Sequence, residues 1–376
     1  MKIPGRIISQ PTGYKAFIPD PLPPNITWTP DLVRSLSDAD RLLGQLAGEG
    51  AKLINPHLLI RPFIKREAVY SSRIEGTQAT LGELLVSEAG GAVERSPADL
   101  REVANYVAAI DYGIRRLKKF PLSLRLVREL HEILMRGTHG TFATPGEFRK
   151  TQNWIGSPGS TLMTARFVPP PPEELMNCLG AWEKFLHDQT VPPLVNAALA
   201  HYQFESIHPF LDGNGRVGRL LITLFLIERK ILPAPLLYLS AFFEITRRDY
   251  YDNLNRVRTH GDWEGWLVYF FNGVARQSED ALCRAQNINE TLEAWKKKAS
   301  STQVVEAISL LARNPYLTVN SLSDHLKVAF TTAQRTIDKM QKLNILIQHD
   351  EKKRGRVYCA TAILKMLEEP ARLTPP

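Results

Sequence analysis

The chain has 376 residues, of which 44% are hydrophobic and 23% charged, which supports buried cores in two or three domains and excludes a disordered chain. It contains no run near the roughly 20 apolar residues of a membrane span and no apolar signal segment. We therefore expect a cytoplasmic protein without a membrane partner. The net charge of +8 favours polyanionic partners, either nucleotides or nucleic acid.

The first part of the chain predicts an arm followed by helices. Residues 1–28 are rich in proline and lack periodicity, which is typical of an extended arm lying over a domain surface. From 30 to about 85, and again from 99 to 136, apolar residues recur at helical spacing. We therefore predict that this half of the chain is mainly α-helical.

The segment 146–172 interrupts the helical pattern. Short strand-like pieces flank a Ser-Pro-Gly turn in GEFRKTQNWIGSPGSTLMTARFVPPPP, and a run of prolines closes the segment. This pattern predicts a β-hairpin flap. Helical periodicity then resumes from 173 to about 298.

After residue 300 the pattern changes to short helices followed by strands. Helices are predicted at 304–313, 318–326 and 331–343, and strands at 345–349 and 357–360 around the basic turn DEKKRGR. We therefore divide the chain into an N-terminal arm and helical region (1–100), a helical core (101–290) and a separate C-terminal domain (300–376).

The most informative segment, HPFLDGNGRVGR, runs from His208 to Arg219 between two apolar helical segments. Pro209 disfavours helical geometry at His208, so the preceding helix is expected to end there and present the imidazole. Gly213 and Gly215 permit positive φ and allow backbone N–H groups to converge on an anion. A helix beginning near residue 216 would add the positive end of its dipole. The segment therefore predicts a phosphate site.

Four side chains of this segment suggest the chemistry. Arg216 and Arg219 lie on the first turn of the predicted helix, where cations oppose the helix dipole unless an anion offsets them. A nucleotide polyphosphate is such an anion, and Asp212 is placed to bind a bridging Mg²⁺. His208 could accept a proton from an incoming hydroxyl. Together these residues predict nucleotidyl or phosphoryl transfer.

The segment resembles the signature H-x-F-x-(D/E)-G-N-G-R-x-x-R of the Fic (filamentation induced by cAMP) family and matches every fixed position. The resemblance implies that His208 is the general base for a Ser, Thr or Tyr hydroxyl and that Asp212 binds Mg²⁺. It places nucleotide contacts at Gly213, Asn214, Gly215, Arg216, Val217, Gly218 and Arg219. Relatives that phosphorylate tend to carry lysine where this chain has Gly215, so the glycine favours transfer of AMP.

The resemblance extends over roughly residues 14–275. TPGEFRKTQNWIG looks like the flap of the family, which pairs by backbone with an extended target segment, and Ile155 and Gly156 are the best candidate contacts. FFEITRRDYYDNL looks like the segment that closes the adenine pocket, with Tyr250 and Tyr251 as candidate base contacts. Without the resemblance, a Tyr-Tyr pair on a helix would more often be core packing.

A second motif, Ser71-Ser72-Arg73-Ile74-Glu75-Gly76, ends a predicted helix. Ser71 and Glu75 lie one turn apart, and an anion at a helix C-terminus is disfavoured by roughly 0.3–1 kcal/mol unless it meets a cation. The segment resembles the inhibitory motif (S/T)-x-x-x-E-(G/N) of the family, whose glutamate pairs with the second arginine of the signature, here Arg219. A bidentate pair would block binding of the γ-phosphate and lower the basal activity. The same glutamate could instead orient water for removal of AMP.

The C-terminal pattern resembles a winged helix-turn-helix. Its recognition helix would expose Gln334, Arg335 and Lys339, and its wing tip would carry Lys352, Lys353, Arg354 and Arg356. DNA is therefore a candidate partner. The alternative is a domain for protein contacts or for formation of a homodimer.

The sequence thus predicts a mainly α protein, with a Fic-type helical core, a small β-hairpin flap and a C-terminal winged helix. The leading hypothesis is an autoinhibited protein adenylyltransferase that uses ATP and Mg²⁺ and modifies a protein hydroxyl, its own chain being one candidate. The alternatives are an ATP-sensing DNA-binding regulator with little turnover, net deadenylylation, and transfer of another phosphate-linked group.

Overall fold

The computed structural model describes residues 3–52, 56–93, 96–138, 144–349 and 355–370, which are mostly helical, as predicted. The N-terminal strands β1 (Gly5–Ser9) and β2 (Lys15–Pro19) pair antiparallel. The arm predicted for residues 1–28 therefore begins with a hairpin, which corrects the sequence interpretation. Strand β2 of this hairpin also contacts a residue that is distant in sequence, since Phe17 N–H donates to Val168 O at 2.9 Å.

The next five helices begin at prolines or at hydroxyl side chains that cap them. Thr80 and Glu83 form a capping box, and the hydroxyls of Ser96 and Ser123 accept backbone N–H groups of the first turn. These helices are α1 (Pro30–Lys52), α2 (Pro56–Ile74), α3 (Leu81–Glu88), α4 (Pro97–Leu117) and α5 (Leu124–Leu134).

The centre of the molecule is formed by two helices that are buried along nearly their whole length. These are α7 (Pro193–Ile207) and α8 (Asn214–Glu228), which pack against each other and flank the loop 208–213. Because both helices are enclosed by the core, the loop between them has little freedom. The surrounding helices are α6 (Pro172–Leu186), α9 (Ser240–Ile245), α10 (Arg247–His260) and α11 (Trp263–Lys298).

The C-terminal region contains the predicted helices and strands together with two further elements. Three strands form an antiparallel sheet, in which Val357–Cys359 is the middle strand between Tyr316–Thr318 and Ile347–Gln348. The winged-helix assignment stays a prediction. The elements are α12 (Thr302–Leu310), β3 (Tyr316–Thr318), α13 (Val319–Leu326), α14 (Phe330–Lys342), β4 (Ile347–Gln348), β5 (Val357–Cys359) and α15 (Thr361–Glu368).

The C-terminal region packs on the rest of the chain. Helix α11 runs past residue 290 to Lys298, and the hydrophobic cluster of the core continues from Leu32 in α1 to Leu367 in α15. In the described part of the chain, no helix combines the length and apolar character needed to cross a bilayer.

Candidate active site

His208 directly follows α7 and has left-handed backbone angles, φ 49° and ψ 61°. The prediction that the helix ends here is confirmed. A residue other than glycine in this region is strained, and such strain persists only where the surroundings impose it. Arg149 Nε and Asn153 Nδ2 donate to His208 O at 3.0 and 3.2 Å. These two flap residues hold the strained backbone in place.

The imidazole of His208 is positioned to act as a base. Its Nδ1 lies 3.3 Å from Glu205 O. Since a carbonyl oxygen only accepts, Nδ1 carries the proton and Nε2 is free to take one. Burial lowers the pKa of His208 to about 4, although the hydrogen bond to Glu205 O raises it. The ring is therefore neutral near pH 7.

Asn214 closes the loop that follows His208. Its Oδ1 accepts from Phe210 N and its Nδ2 donates to Phe210 O, both at 2.8 Å. Asn214 is buried, and Phe210 is fully buried and anchors the loop in the core, as expected. The Asn214 side chain therefore organises the loop and is not available to a ligand.

His131 on α5 also holds the loop, and sequence analysis missed it. Its Nδ1 accepts from Gly146 N at 2.9 Å, so Nε2 carries the proton and donates to Asp212 O at 3.0 Å. Its ring stacks on Phe210 with the centroids 3.7 Å apart. Burial lowers the pKa of His131 to about 4, so the ring is neutral. A single histidine within an amphipathic helix gives no local signal of this role.

The flap is tied to the end of α7 through Arg149, a second residue that sequence analysis missed. Its guanidinium is buried and donates to the carbonyls of Thr151, Pro170 and Ile207 as well as His208. The predicted flap pairing is limited to one antiparallel bridge, in which Ile155 and Phe167 exchange hydrogen bonds of 2.8 and 3.0 Å. Gly156 follows this bridge.

The two glycines of the predicted phosphate site have different roles. Gly213 has φ 77° and caps α8, which begins at Asn214 and not near residue 216. Gly215 is helical, so the expectation that it supplies positive φ is wrong. Instead it leaves room: a Cβ at Gly215 would overlap Glu75 Oε1 and lie 2.8 Å from Arg219 Nη1.

Arg216 has unused hydrogen-bonding capacity. Its Nη1 lies 3.3 Å from Glu102 Oε2 on α4, and its Nη2 lies 3.7 Å from Asp212 Oδ1. Both Nε and Nη1 are buried and make no hydrogen bond with the residues that the structure describes. Buried donors without an acceptor cost free energy, about 1–3 kcal/mol each. A phosphate oxygen at the N-terminus of α8 would satisfy such donors.

Arg219 is engaged by the predicted inhibitory motif. Its Nη2 donates to Glu75 Oε1 at 2.7 Å and to Ser71 O at 2.8 Å, and its Nε donates to Ser71 Oγ at 2.9 Å. The pair was expected to be bidentate, but one oxygen of Glu75 accepts from Arg219, and the hydroxyl and carbonyl oxygens of Ser71 accept the other two hydrogen bonds. Burial raises the pKa of Glu75, yet the charge and hydrogen bond of Arg219 outweigh it, and the pKa is lowered overall.

Two family models cover this geometry. "Fic/DOC family N-terminal" matches residues 33–115, including the Ser71–Glu75 motif, and "Fic/DOC family" matches residues 121–226, including the His208–Arg219 loop. The chain belongs to the Fic/DOC family. Both halves of the Glu75–Arg219 contact thus lie in Fic-matched segments.

Curated relatives and solved structures agree with the Fic assignment. "Protein adenylyltransferase Fic" of Nematostella vectensis is 30% identical over 220 residues, 57% of this chain and 46% of that protein. The Drosophila melanogaster protein of the same name is 32% identical over 175 residues, covering 44% and 33%. This chain thus spans less than half the length of these relatives. A Fic family protein from Desulfovibrio desulfuricans G20 aligns with TM-score 0.61 at 22% identity, covering 90% and 98%.

Two Fic signature positions lie away from the candidate phosphate site. Val217 is fully buried, and its N–H donates to Gly213 O at 3.0 Å. Gly218 faces α7, where a Cβ would meet Glu205 and Phe204. Both residues contribute to helix packing in this structure, and their role as nucleotide contacts stays a prediction.

The aromatic pair predicted for the adenine pocket of a Fic protein divides between two environments. Tyr250 is buried, its hydroxyl lies 2.8 Å from His201 Nε2, and its ring stacks on Phe243. It packs in the core in this structure, and its role as a base contact stays a prediction. Tyr251 is half-buried beside it, so its role as a base contact stays a prediction.

Asp212 fits a Mg²⁺ ligand. Its side chain is 52% exposed, and Oδ1 accepts from Gly213 N. Its other oxygen has no partner among the described residues. Among the residues that the structure describes, no cluster of three or more His, Cys, Asp or Glu side chains could hold a metal ion. Mg²⁺ bound to ATP commonly takes one carboxylate, with phosphates and waters as the other ligands. One Asp is therefore a sufficient protein contribution.

Proposed function

We propose that this chain is a protein adenylyltransferase that moves AMP from Mg·ATP to a Ser, Thr or Tyr hydroxyl of a protein and is restrained by Glu75. The observation that carries the proposal is the free Nε2 of His208, held beside the N-terminus of α8, where Arg216 has unused donors. The names of the curated relatives support it. The transfer of AMP would occur in the cytoplasm, where Mg·ATP is available.

The residues divide the reaction as follows. His208 Nε2 takes the proton of the target hydroxyl while its oxygen bonds to the α-phosphorus. The bond from that phosphorus to the bridging oxygen breaks, and pyrophosphate leaves. Arg216 and Arg219 offset the negative charge of the phosphates. Asp212 would hold Mg²⁺, which neutralises phosphate charge when bound.

Glu75 opposes this reaction in the same site. Its carboxylate neutralises Arg219 and occupies the space above Gly215 that a terminal phosphate would need. Like charge repels the phosphate from this space. We therefore infer low basal activity that rises when Glu75 is displaced. Orientation of a water molecule by Glu75 for removal of AMP would be a second, separate activity of the same residue.

A DNA-binding role is proposed as secondary for the C-terminal region. Arg335 and Lys339 are exposed on α14, which supports contact with phosphates. Asp338 is exposed between them and reduces the positive charge, while Lys352, Lys353 and Arg354 lie outside the described residues. Operator binding that weakens steeply with salt and survives His208→Ala would favour this role.

The deciding experiment labels ATP at either the α- or the γ-phosphate and measures label on protein. Wild type, Glu75→Gly and Glu75→Gly/His208→Ala are compared with Mg²⁺ present. Label from the α position alone, strongest in Glu75→Gly and absent in the double variant, is the expected result. Label from the γ position would instead establish phosphorylation, and no label from either would contradict the proposal.

A further inference from the structure

A groove of about 550 Å³ lies between the β1–β2 hairpin, the flap and the end of α10. Its lining includes Phe17 and Phe167, which are buried and in ring contact. Ile7 and Met163 line it too, although they are 58% and 66% exposed. Large apolar side chains that stay exposed around a groove mark an interaction surface.

The charges of the groove are of one sign. Its lining includes Lys15, Arg166 and Arg258 and no Asp or Glu among the described residues. Arg166 pairs with Asp252 at 3.3 Å, but the other two cations have no carboxylate partner in the described part of the chain. The guanidinium of Arg258 lies over the Phe167 ring at 3.8 Å. The groove therefore suits a ligand with both apolar and acidic side chains.

Hydrogen bonds join the groove to the catalytic loop. Phe17 N–H donates to Val168 O at 2.9 Å, and Phe167 is bridged to Ile155. Two residues before Ile155, Asn153 Nδ2 donates to His208 O. A peptide in the groove would thus lie at a fixed position relative to His208.

From this arrangement we propose that the groove binds an extended segment of the target protein next to the acceptor hydroxyl, and that it selects apolar residues interspersed with Asp or Glu. The inference rests on the proposed transferase function and specifies its substrate class. The hairpin, which lies in the segment predicted to be an extended arm over a domain surface, becomes part of the substrate site.

The test measures binding without transfer. In the His208→Ala protein, fluorescence anisotropy compares a fluorescein-labelled peptide of alternating Val and Glu around one Thr with the same peptide carrying Lys for Glu. We expect the Glu peptide to bind at least about tenfold more tightly, and Lys15→Glu/Arg258→Glu to reverse this preference. Arg34→Glu, an exposed change on α1, is the matched control and should leave it unchanged.

Equal binding of the two peptides, or a preference that survives the charge reversal in a folded variant, would overturn the inference. Because no ATP is needed, a failure of adenylyl transfer leaves the binding result interpretable. If Lys15→Glu/Arg258→Glu does not fold, Lys15→Glu alone must still reduce the preference, since Lys15 is exposed.

An independent observation concerns the C-terminal tail. The carbonyls that end α15 are held by two buried arginines from the core. Arg66 on α2 donates to Leu367 O and Glu369 O, and Arg284 on α11 donates to Met366 O, Glu369 O and Pro370 O. Such charged donors stabilise a helix C-terminus, and removing them leaves buried carbonyls unpaired.

Helix α2 thus connects the tail to the active site. Arg66 lies within α2, and Glu75 directly follows Ile74, the last residue of that helix, nine positions after Arg66. Glu67, also buried, binds Ser240 and the Tyr106 hydroxyl and so fixes the middle of the helix. The position of Glu75 therefore depends on contacts along the whole of α2.

These contacts lead us to infer that residues 366–370 act as a latch that holds α2 in the inhibitory position, so that the C-terminal region regulates the site. The inference rests on inhibition by Glu75. Its test compares Arg66→Met with removal of residues 371–376, a control that keeps the latch. We expect Arg66→Met to raise severalfold the basal amount of label that protein receives from α-labelled ATP. In the Glu75→Gly background, Arg66→Met should cause no further increase in this label.

Hydrogen exchange gives a readout that does not require transfer. The amides of residues 71–76 should exchange faster in Arg66→Met than in the truncation control. Unchanged exchange and unchanged basal label in a folded Arg66→Met protein would sink the inference. If that variant does not fold, truncation after Lys365 must show the faster exchange. Faster exchange without transfer in any variant would instead contradict the transferase proposal alone.

Discussion

Arg219 Nε donates to Ser71 Oγ at 2.9 Å, within the same contact that joins Arg219 to Glu75. Ser71 lies on the inner face of α2 and is fully buried, so its hydroxyl orients the guanidinium towards the glutamate. Inhibition in this Fic protein is therefore expected to depend on Ser71 in α2 and on Glu75 in the turn that follows it.

Ser71→Ala should weaken inhibition. Without the hydroxyl, a buried charged donor loses its acceptor at a cost of about 1–3 kcal/mol, which disfavours the inhibited arrangement. Basal transfer from α-labelled ATP should rise to a level between wild type and Glu75→Gly. Ser72→Ala is the matched control, because the buried Ser72 hydroxyl makes no hydrogen bond within the described ranges of the chain. An equal effect of both substitutions would contradict the role of Ser71.

Gly215→Ala should change stability in opposite directions in two backgrounds. In wild type the added methyl overlaps Glu75 Oε1 and should lower the unfolding free energy. In Glu75→Gly that overlap is gone and only the freed end of the Arg219 side chain has to shift, so the preference of a helix for alanine over glycine, roughly 0.5–1 kcal/mol, should decide the sign. Denaturant unfolding of the four proteins measures the coupling. Additive effects would show that Glu75 does not occupy this space in solution.

His131→Phe should keep the stack on Phe210 and lose both hydrogen bonds. The Asp212 carbonyl and the Gly146 N–H would lose their partners, so we expect destabilisation of about 1–3 kcal/mol. We also expect a higher Mg²⁺ requirement for ATP binding, because Asp212 is less well positioned. Binding of a fluorescent ATP analogue against Mg²⁺ concentration measures this. An unchanged Mg²⁺ curve would limit His131 to stability.

The acid limb of activity should lie well below the ordinary histidine range. Burial lowers the pKa of His208 to about 4, so its neutral form persists as the pH falls towards that value. In Glu75→Gly, which lacks a carboxylate that raises this pKa, kcat/KM should stay flat from about pH 7 to about pH 5. A limb near the ordinary value of 6.5 would show that His208 is solvated in solution.

Low pH should also weaken the hydrogen bonds that Glu129 accepts from Tyr112, Arg116 and Arg125. Hydrogen bonds from Arg116, Tyr112 and Arg125 lower the pKa of Glu129 to about 2, from 4.5. A lowered pKa means that the stabilisation is present above the unfolded value and is lost as the pH falls from about 4.5 to about 2. Glu129→Gln should therefore flatten the pH dependence of the unfolding free energy in this window. An unchanged slope would assign it to other carboxyls.

The sequence by itself determined the helical class, the end of α7 at Ile207, and three helices and two strands after residue 300. Periodicity, proline and glycine act locally, so a single sequence reports them. It also indicated the pairing of Glu75 with Arg219, through the resemblance of both segments to motifs of the Fic family.

Only the tertiary structure decided which side chains serve the site. His131 and Arg149 contact the catalytic loop through its backbone carbonyls, which any sequence supplies, so no pattern marks them. Tyr250 directs its hydroxyl to His201, a contact that only the packing of α7 against α10 determines. The N-terminal hairpin hydrogen-bonds to Val168, which is distant in sequence, and the function of Gly215 depends on Glu75, which follows α2. Contacts between residues far apart in the chain are set by the fold as a whole, and local sequence does not encode them.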